Sequence, residues 1–296
     1  MTMNNTGMDW WKSGTIYQVY PRSFCDSSHR GWGDLNGVRT KLPYLASLGV
    51  DAVWISPFFK SPMKDFGYDV EDHRSVDPMF GTDTDFDHLI ADAKQLGIKI
   101  IVDLVLSHVS DTHPWFQDAS RSKDSEYSNH FVWADAQADG SPPNNWLSIF
   151  GGSAWAWHPE RRQYYLHNFL KSQPDLNFHE PGVRAEALSI ARYWLERGVS
   201  GFRLDTVNFY FHDQALRSNP KSTHVGNTLV PDSNPYSNQD HVYDKNRPEV
   251  VTFLEELGQL TKQYPGTVTL GEVGAIEARS WHLINEYTQE ERLSLC

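Results

Sequence analysis

Short, nearly continuous apolar segments are the feature that most restricts how this chain can fold. Residues 50–56 (Val-Asp-Ala-Val-Trp-Ile-Ser) and residues 98–103 (Ile-Lys-Ile-Ile-Val-Asp) are rich in aliphatic side chains and too short for core helices. Such segments are typical of parallel strands that helices cover on the outside. A segment with helical character precedes each of them, at residues 35–48 and 84–96, and a glycine follows each helix. The pattern therefore predicts an α/β fold with a parallel sheet.

The same alternation continues along the chain and gives five strand–helix units. A closed barrel of this kind needs eight units, so we predict an incomplete (β/α)8 TIM barrel, with an open five-stranded α/β sheet as the alternative. The predicted strands are residues 15–20, 50–56, 98–103, 199–205 and 267–272, and the predicted helices are residues 35–48, 84–96, 181–197, 248–264 and 275–290.

Residues 106–178 interrupt the alternation. This segment is rich in Trp, Asn, Gly, Pro and Ser, as in Pro142-Pro-Asn-Asn-Trp146, and it is too long for a simple loop. We therefore predict an inserted subdomain after the third strand. The predicted division is a first part of the barrel over residues 1–105, the inserted subdomain over residues 106–178, and a continuation of the barrel over residues 179–296 that ends before strands six to eight.

The composition argues against several classes of partner. The 296 residues carry a formal net charge of −12, so binding to nucleic acid or to an anionic membrane through charge is not expected. The two cysteines, Cys25 and Cys296, are too few for a disulfide framework. The N-terminal segment has no secretory pattern, and no apolar run reaches the roughly 18 residues of a membrane span. These features predict a cytoplasmic protein that binds neither nucleic acid nor membrane.

Two carboxylates stand at the ends of predicted strands. Asp205 ends the strand at residues 199–205, and Glu272 ends the strand at residues 267–272. The carboxyl ends of neighbouring barrel strands meet on one rim, where the catalytic groups of such barrels cluster. A pair of carboxyl groups that faces one substrate bond is the equipment for glycoside hydrolysis, with one group as acid and the other as nucleophile or base.

Arg203 stands two residues before Asp205, so both side chains are expected on the same side of the predicted strand. A fixed guanidinium there is expected to keep the Asp205 carboxylate ionised and to lower its pKa, as a nucleophile requires. The alternative is an arginine–aspartate pair with a purely structural role at the rim of a barrel.

Four motifs occur in an order that is found in one family of enzymes. They are Asp65-Phe-Gly-Tyr-Asp69, Asp103-Leu-Val-Leu-Ser-His108, Gly201-Phe-Arg-Leu-Asp205 and Gly271-Glu-Val273. From about Trp10 onward the chain resembles the α-amylase superfamily of glycoside hydrolases, in its α-glucosidase and oligo-1,6-glucosidase branch. The resemblance implies a (β/α)8 barrel and a retaining mechanism on α-linked glucose.

The resemblance also implies roles for individual residues. Asp205 would attack the anomeric carbon. Glu272 would act as acid and base, with a pKa that is raised by partial burial or by the nearby Asp205 charge. His108 would donate a hydrogen bond to a glucose hydroxyl, and Asp103 would support the site structurally.

The segment after the second strand would form the sugar pocket. In relatives this loop closes over the non-reducing glucose, which implies that Tyr68 stacks on the ring and Asp65 hydrogen-bonds its hydroxyls. Phe169 is expected either to line this pocket or to belong to the core. The motif Gln173-Pro-Asp-Leu-Asn177 marks the branch and has no catalytic role in this assignment. Thr206 resembles members that prefer α-1,4 linkages, and its position beside the leaving group would discriminate by about 1–3 kcal/mol.

The loop after the first strand departs from the family pattern. Relatives bind Ca²⁺ or Mg²⁺ there with an acidic motif, of which Asp26 and Asp34 are the remnants in Asp26-Ser-Ser-His-Arg-Gly-Trp-Gly-Asp34. Arg30 takes the place of a central ligand, and a guanidinium cannot coordinate a cation that requires oxygen ligands. We therefore favour a loop without metal or other cofactor, in which the Arg30 guanidinium bridges Asp26 and Asp34. The alternative is a Ca²⁺ or Mg²⁺ ion bound by these two remnants.

A third catalytic aspartate of the family is not found in this sequence. In relatives it follows a histidine at the end of the seventh strand, whereas His212-Asp213 here precedes the fifth predicted strand. We therefore expect the chain to be the N-terminal part of a longer enzyme. An open five-stranded barrel exposes apolar edges, so the 296-residue piece alone is expected to be unstable and to have little or no activity.

The favoured function is the removal of terminal α-1,4-linked glucose from small, maltose-like α-glucoside oligosaccharides. The alternative within the family is a transglycosylating enzyme, which forms isomaltulose or trehalose or transfers glucose to alcohols. The alternative from another class is a non-catalytic barrel protein, as in relatives that serve as transporter subunits. Those relatives lose the carboxylates, so Asp205 and Glu272 favour an enzyme.

Overall fold

The computed structural model describes residues 9–222, 230–231, 233–274, 277–289 and 292–296. Its strands are β1 (Ile16–Val19), β2 (Ala52–Ile55), β3 (Phe59–Lys60), β4 (Asp72–Val76), β5 (Lys99–Leu104), β6 (Trp133–Ala134), β7 (Trp155–His158), β8 (Gln163–Leu166), β9 (Gly201–Leu204) and β10 (Val268–Gly271). Its α-helices are α1 (Pro21–Phe24), α2 (Leu35–Ser47), α3 (Asp83–Gln95), α4 (Pro114–Ala119), α5 (Pro181–Glu196), α6 (Val250–Thr261) and α7 (Glu277–Thr288).

The strands β1, β2, β5, β9 and β10 form one parallel sheet in that order. These are the five predicted strands, and their bounds differ from the predicted ones by one or two residues. The helices α2, α3, α5 and α6 each lie between two consecutive strands of this sheet, as in a barrel built from repeated β/α units. The prediction of an incomplete (β/α)8 barrel is confirmed.

Local sequence signals decide where the outer helices begin. α2 follows Asp34, whose carboxylate accepts a hydrogen bond from the Gly37 amide at 2.7 Å. α3 follows Thr82, which forms a capping box with Asp85. The observed helices match the predicted ones to within three residues, and the predicted ends of the last helix, residues 275 and 290, lie outside the described residues. No helix in these described ranges is both long and apolar enough to cross a membrane.

A tryptophan of α5 anchors the outer helices to the core. Trp194 is fully buried, and its ring centroid lies 5.0 Å from that of Phe86 and 5.7 Å from that of Phe58. Its indole N–H donates to the His73 carbonyl at 2.8 Å, so the one polar atom of the side chain is also satisfied. This packing holds α5 and α3 together behind the strand ends at which the candidate site lies.

The last residues of the chain pair with the outer edge of β10. Leu295 forms a parallel bridge with Leu270, its amide donates to the Thr269 carbonyl at 3.0 Å, and its carbonyl accepts from the Gly271 amide at 2.9 Å. Residues 293–296 follow α7 and carry this single bridge at the outer edge of the five-stranded sheet. The prediction that the barrel is cut off before strands six to eight stays a prediction.

The segment between β5 and α5 has a sheet of its own. β6, β8 and β7 pair antiparallel in that order. A separate cluster of buried side chains, which includes Trp146 and Trp155, belongs to this segment. The division of the chain into units at residues 105 and 178 stays a prediction.

Candidate active site

An arginine at the carboxyl ends of β5, β9 and β10 contacts three carboxylates. Nη1 of Arg203 lies 2.6 Å from Asp103 Oδ1 and 2.6 Å from Asp205 Oδ1. Nη2 of the same side chain lies 2.6 Å from Glu272 Oε2. The two predicted catalytic carboxylates therefore flank one guanidinium. These four residues are called the rim cluster below.

The strand register produces the rim cluster. Asp103 on β5 is paired with Arg203 on β9, and β10 runs parallel to β9 on the other side. Glu272 directly follows β10, as Asp205 directly follows β9, so the two carboxylates project from neighbouring strand ends. Asp205 and Arg203 are buried, whereas 47% of the Glu272 side chain is exposed. A substrate bond can therefore reach Glu272 from solvent.

Burial and charge act against each other on the carboxyl groups of the rim cluster. Burial raises the pKa of Asp205, and the Arg203 guanidinium opposes that shift without reversing it. The prediction of a lowered pKa for Asp205 is therefore wrong in direction, because desolvation outweighs the ion pair. Burial also raises the pKa of Glu272, and the Asp205 charge adds to the effect, as expected for a general acid. Burial raises the pKa of Asp103 to about 7.

The turn after β9 contains a strained residue. Thr206 has a φ of 40° and a ψ of 50°, a left-handed conformation that is unfavourable for a β-branched side chain. Its amide donates to Glu272 Oε2 at 3.2 Å, and its hydroxyl donates to Asp205 Oδ2 at 3.2 Å. Backbone strain of this kind clusters at active sites, and here it places one residue against both carboxylates.

Two aromatic side chains form one side of the rim cluster. The Trp54 indole N–H donates to Asp103 Oδ2 at 2.9 Å, and the Tyr68 hydroxyl lies 3.5 Å from the same oxygen. The guanidinium carbon of Arg203 lies 5.3 Å from the Trp54 ring and 5.7 Å from the Tyr68 ring, within the range of a cation–π contact. Tyr68 is thus beside the carboxylates, and its stacking on a sugar ring stays a prediction.

His108 lies behind the Tyr68 loop and is almost fully buried. Its Nε2 lies 3.1 Å from the Tyr68 carbonyl, and its Nδ1 lies 2.9 Å from the Ser107 hydroxyl. The Gln173 amide nitrogen lies 3.1 Å from the same Nε2, so this ring nitrogen faces both an acceptor and a donor. Burial lowers the pKa of His108 to about 4, so the ring is neutral at pH 7. The predicted hydrogen bond to a glucose hydroxyl would require Nε2 to leave the Tyr68 carbonyl, and it stays a prediction.

Gln173 connects two predicted sugar-binding residues. Its amide nitrogen donates to Asp65 Oδ2 at 2.8 Å and lies 3.1 Å from His108 Nε2. The sequence identifies Gln173 only as part of a branch motif, so this link between Asp65 and His108 is new information from the structure. Gln173 is fully buried, and its contacts orient Asp65 at the edge of the site.

Phe169 belongs to buried packing beside the site. Its ring centroid lies 5.1 Å from His108 and 5.2 Å from Phe209, and the residue is 8% exposed. Phe169 is expected either in the core or on the pocket wall, and its burial fits a place in the core. Its contact with His108 nevertheless brings it to the back of the predicted sugar pocket.

Sequence reasoning misses several residues that contact the site. The sequence predicts for Trp54 only a place in a strand, whereas its indole N–H donates to Asp103. The Ser107 hydroxyl lies 3.0 Å from the Thr206 hydroxyl and joins the ends of β5 and β9. Asn208 follows the nucleophile motif by three residues and is fully buried. The sequence signal that can identify these three residues is their position, since each lies within or shortly after a strand of the parallel sheet.

The loop after β1 places Asp26, Arg30 and Asp34, the β1-loop cluster, near one another. The Asp26 carboxylate accepts hydrogen bonds from the amides of Ser28, Arg30 and Gly31. The Arg30 guanidinium reaches Asp34, with 3.7 Å between Nη2 and Oδ2, and donates from Nε to Ser28. The predicted guanidinium bridge is therefore wrong for Asp26, which the backbone of Arg30 binds instead. N–H donors around Asp26 do not suit Ca²⁺ or Mg²⁺, and the expected lack of a metal stays a prediction.

Three comparisons relate the chain to known proteins. The family profile "Alpha amylase, catalytic domain" matches residues 18–295. A probable alpha-glucosidase of Rhizobium meliloti (strain 1021) is 53% identical over 100% of this chain and 55% of that protein. Maltase 1 of Drosophila virilis is 45% identical over 89% of this chain and 42% of that protein. A crystallised alpha-glucosyl transfer enzyme superposes with a TM-score of 0.94 and 52% identity, over 97% of this chain and 54% of that one. The chain spans about half the length of these relatives.

Proposed function

The chain belongs to the family of α-amylase catalytic domains, and we propose that the protein carrying it is a retaining α-glucosidase. It would remove terminal glucose from small, maltose-like α-glucosides. The observation that carries the proposal is the rim cluster, in which Asp205 and Glu272 contact opposite nitrogens of Arg203 at 2.6 Å each. One carboxylate is buried and the other is half exposed, so of the two it is Glu272 that is open to solvent.

In the proposed first step, an Asp205 oxygen attacks the anomeric carbon of the terminal glucose. The bond from that carbon to the glycosidic oxygen breaks, and the departing oxygen takes the proton of Glu272. In the second step Glu272 removes a proton from water, the water attacks the same carbon, and Asp205 leaves. Two inversions give α-glucose, which is net retention.

The contacts of the rim cluster support these assignments. Nη1 of Arg203 contacts both Asp103 and Asp205, so its charge is fixed where the Asp205 carboxylate must be ionised. The Arg203 guanidinium and the Thr206 amide both bind Oε2 of Glu272, which leaves Oε1 to carry the transferable proton. Burial raises the pKa of Glu272, which is the direction that a general acid requires.

Replacing the nucleophile tests the assignment. In the gene product that carries this chain, Asp205→Asn should lower kcat on maltose and on p-nitrophenyl α-glucoside by about 10⁴-fold or more, because the amide cannot form the covalent intermediate. Asp213→Asn is the matched control, since Asp213 is also buried and pairs with an arginine, Arg217, at 2.6 Å. An inactive wild-type protein, or an Asp205→Asn variant with full activity, would contradict the proposal.

The linkage preference is a finer part of the proposal. The Thr206 hydroxyl binds Asp205 and Ser107, so its position beside the leaving-group side is fixed. Thr206→Val removes both hydrogen bonds and keeps the branched shape. We expect the ratio of kcat/KM for maltose to that for isomaltose to fall by about tenfold, within the 1–3 kcal/mol that one side chain contributes to discrimination. An unchanged ratio would remove Thr206 from the account of linkage preference.

Glucosyl transfer is a second candidate, favoured by the 52% identity to a crystallised alpha-glucosyl transfer enzyme. The two activities share the first step and differ in whether water or an alcohol attacks the intermediate. Product analysis with maltose plus a primary alcohol separates them. Free glucose as the main product supports hydrolysis, and an alkyl α-glucoside as the main product supports transfer.

A further inference from the structure

Asn208 joins three loops at the end of the barrel that carries the rim cluster. It lies in the single turn of 3-10 helix Val207–Phe209, three residues after Asp205, and it is fully buried. Most buried side-chain amides in folded proteins have hydrogen-bond partners for their polar atoms. The partners of Asn208 therefore show which parts of the structure it holds in place.

Its first partner is the segment directly after Glu272. Nδ2 of Asn208 donates to the Gly274 carbonyl at 2.9 Å, and the Gly274 amide donates to Oδ1 of Asn208 at 3.3 Å. This reciprocal pair fixes the chain two residues beyond the proposed general acid. The main chain of Glu272 itself bonds to the same region, because its amide donates to the Leu204 carbonyl and its carbonyl accepts from the Val207 amide, both at 3.0 Å.

Its second partner is the loop that precedes α6. Nδ2 of Asn208 also donates to Asn246 Oδ1 at 2.7 Å, and the Asn246 amide donates to the Asn208 carbonyl at 2.8 Å. Lys245, the neighbour of Asn246, donates from Nζ to the Gly274 carbonyl at 3.1 Å. The loop before α6 thus supports the same carbonyl that Asn208 binds.

The exposure of Glu272 explains why its backbone needs this support. With 47% of the side chain exposed, packing alone does not define where its carboxyl group lies. The side chain is held by Arg203 and by the Thr206 amide through one oxygen only. Its distance from Asp205 therefore depends on how firmly its main chain is fastened to the turn after β9.

We propose that Asn208 is a positioning residue, which sets the place of the general acid Glu272 relative to the nucleophile Asp205. This inference rests on the proposed function. Asn208 touches no reacting atom and acts through the backbone of residues 272–274. Without it, Arg203 and Asp205 keep their direct ion pair, while Glu272 loses a support that neither of them replaces.

Loss of Asn208 should therefore slow mainly those reactions in which Glu272 must donate a proton. A displacement of about 1 Å in a catalytic group lowers the rate by roughly 100-fold. Cleavage of maltose needs Glu272 to protonate a sugar alkoxide, whereas α-glucosyl fluoride has a leaving group that departs without a full proton transfer. The ratio kcat/KM reports on the first step only, so it is free of the later role of Glu272 as base.

The experiment compares both substrates in the wild-type gene product that carries this chain and in Asn208→Ala. We expect kcat/KM for maltose to fall by about 100-fold and kcat/KM for α-glucosyl fluoride by less than about fivefold. Glu272→Gln should also lose more kcat/KM on maltose than on α-glucosyl fluoride, and the difference between the two losses should be larger. Asn36→Ala is the matched control, because the Asn36 amide donates to Asp85 at 2.8 Å and joins α2 to α3 in the outer layer. Its kcat/KM for maltose and its kcat/KM for α-glucosyl fluoride should both stay near the wild-type values.

The outcomes separate this inference from the proposal beneath it. Equal losses on both substrates would mean a purely structural role and would overturn the inference, as would no loss on maltose. A wild-type protein inactive on both substrates would overturn the proposed function, and the inference with it. If Asn208→Ala does not fold, Asn208→Asp takes its place. This variant keeps the shape and the acceptor for the Gly274 amide but loses the two donated hydrogen bonds. It should likewise lose far more kcat/KM on maltose than on α-glucosyl fluoride.

Discussion

The rim cluster and the β1-loop cluster each place an arginine among carboxylates, and the two clusters differ in burial. In the rim cluster, 9% of the Arg203 side chain is exposed, and the guanidinium contacts Asp103, Asp205 and Glu272 at 2.6 Å each. In the β1-loop cluster, 41% of the Arg30 side chain is exposed, and its guanidinium reaches one carboxylate at 3.7 Å. The same side-chain types thus give a tightly coupled network in one place and a loose surface contact in the other.

The difference shows what keeps each carboxylate charged. Asp34 accepts hydrogen bonds from Gly37, Ser27 and Ser28, and these donors lower its pKa more than Arg30 does. Asp205 accepts only from Arg203 and Thr206 among the described residues, and burial raises its pKa despite them. The rim cluster therefore depends on its arginine, whereas the β1-loop cluster is stable through its own hydrogen bonds.

The largest expected effect on stability comes from Arg203→Met. The substitution keeps a long side chain and removes the cation that Asp103 and Asp205 share, so buried carboxylates lose their partner. We expect the free energy of unfolding at pH 7 to fall by about 3–5 kcal/mol, as for other buried ion pairs that lose one member. Urea unfolding followed by circular dichroism measures it. A loss below about 1 kcal/mol would mean that the rim arginine matters no more than a surface one.

The rim cluster also shows how far sequence reasoning reaches. Strand ends are predictable because apolar runs mark the strands and parallel strands place their carboxyl ends together, so Asp205, Arg203 and Glu272 could be brought to one rim. The direction of the Asp205 pKa was not predictable, because it depends on how completely the site excludes water. The motif at residues 201–205 predicts that Arg203 lies beside Asp205, but it does not predict how deeply Arg203 is buried.

Contacts between loops that are far apart in the chain also cannot be predicted from the sequence. Gln173 and Asp65 are 108 residues apart, and Asn208 and Gly274 are 66 residues apart. A side-chain amide has no periodicity and no fixed spacing to its partner, so nothing in the local sequence distinguishes these residues from surface amides. The bridge between Leu295 and Leu270 of β10 is likewise not marked by any pattern in the local sequence.

A buried carboxyl group without an arginine sharpens the comparison and carries the next largest effect. Asp175 accepts hydrogen bonds from the backbone amide and the side chain of Asn168, and within the described ranges it has no ion pair. Burial raises the pKa of Asp175 to about 7 from an ordinary value of 3.8. The folded state therefore holds a proton that the unfolded state releases at lower pH. Its contribution to stability is complete below about pH 4 and is lost as the pH rises through 7.

Asp175→Asn should remove that pH dependence. The wild-type protein is expected to lose roughly 2–4 kcal/mol more stability between pH 5 and pH 8 than the variant does, because the amide stays neutral throughout. Melting temperatures at four pH values across this range measure the difference. Parallel curves for the two proteins would show that Asp175 stays ionised in the folded state and that burial alone does not raise a pKa here.

The smallest expected effect comes from the same substitution in the exposed cluster, Arg30→Met. Its guanidinium contacts Asp34 at 3.7 Å and is 41% exposed, so solvent screens the pair and its loss should change the free energy of unfolding by less than about 1 kcal/mol. The hydrogen bonds of Asp34 to Gly37, Ser27 and Ser28 remain. Dialysis against EDTA should likewise leave the melting temperature unchanged. If EDTA lowers the melting temperature and Ca²⁺ or Mg²⁺ restores it, the carboxylates of this loop bind a metal despite Arg30. The two clusters would then differ because one binds a metal ion, and not because their arginines differ in burial.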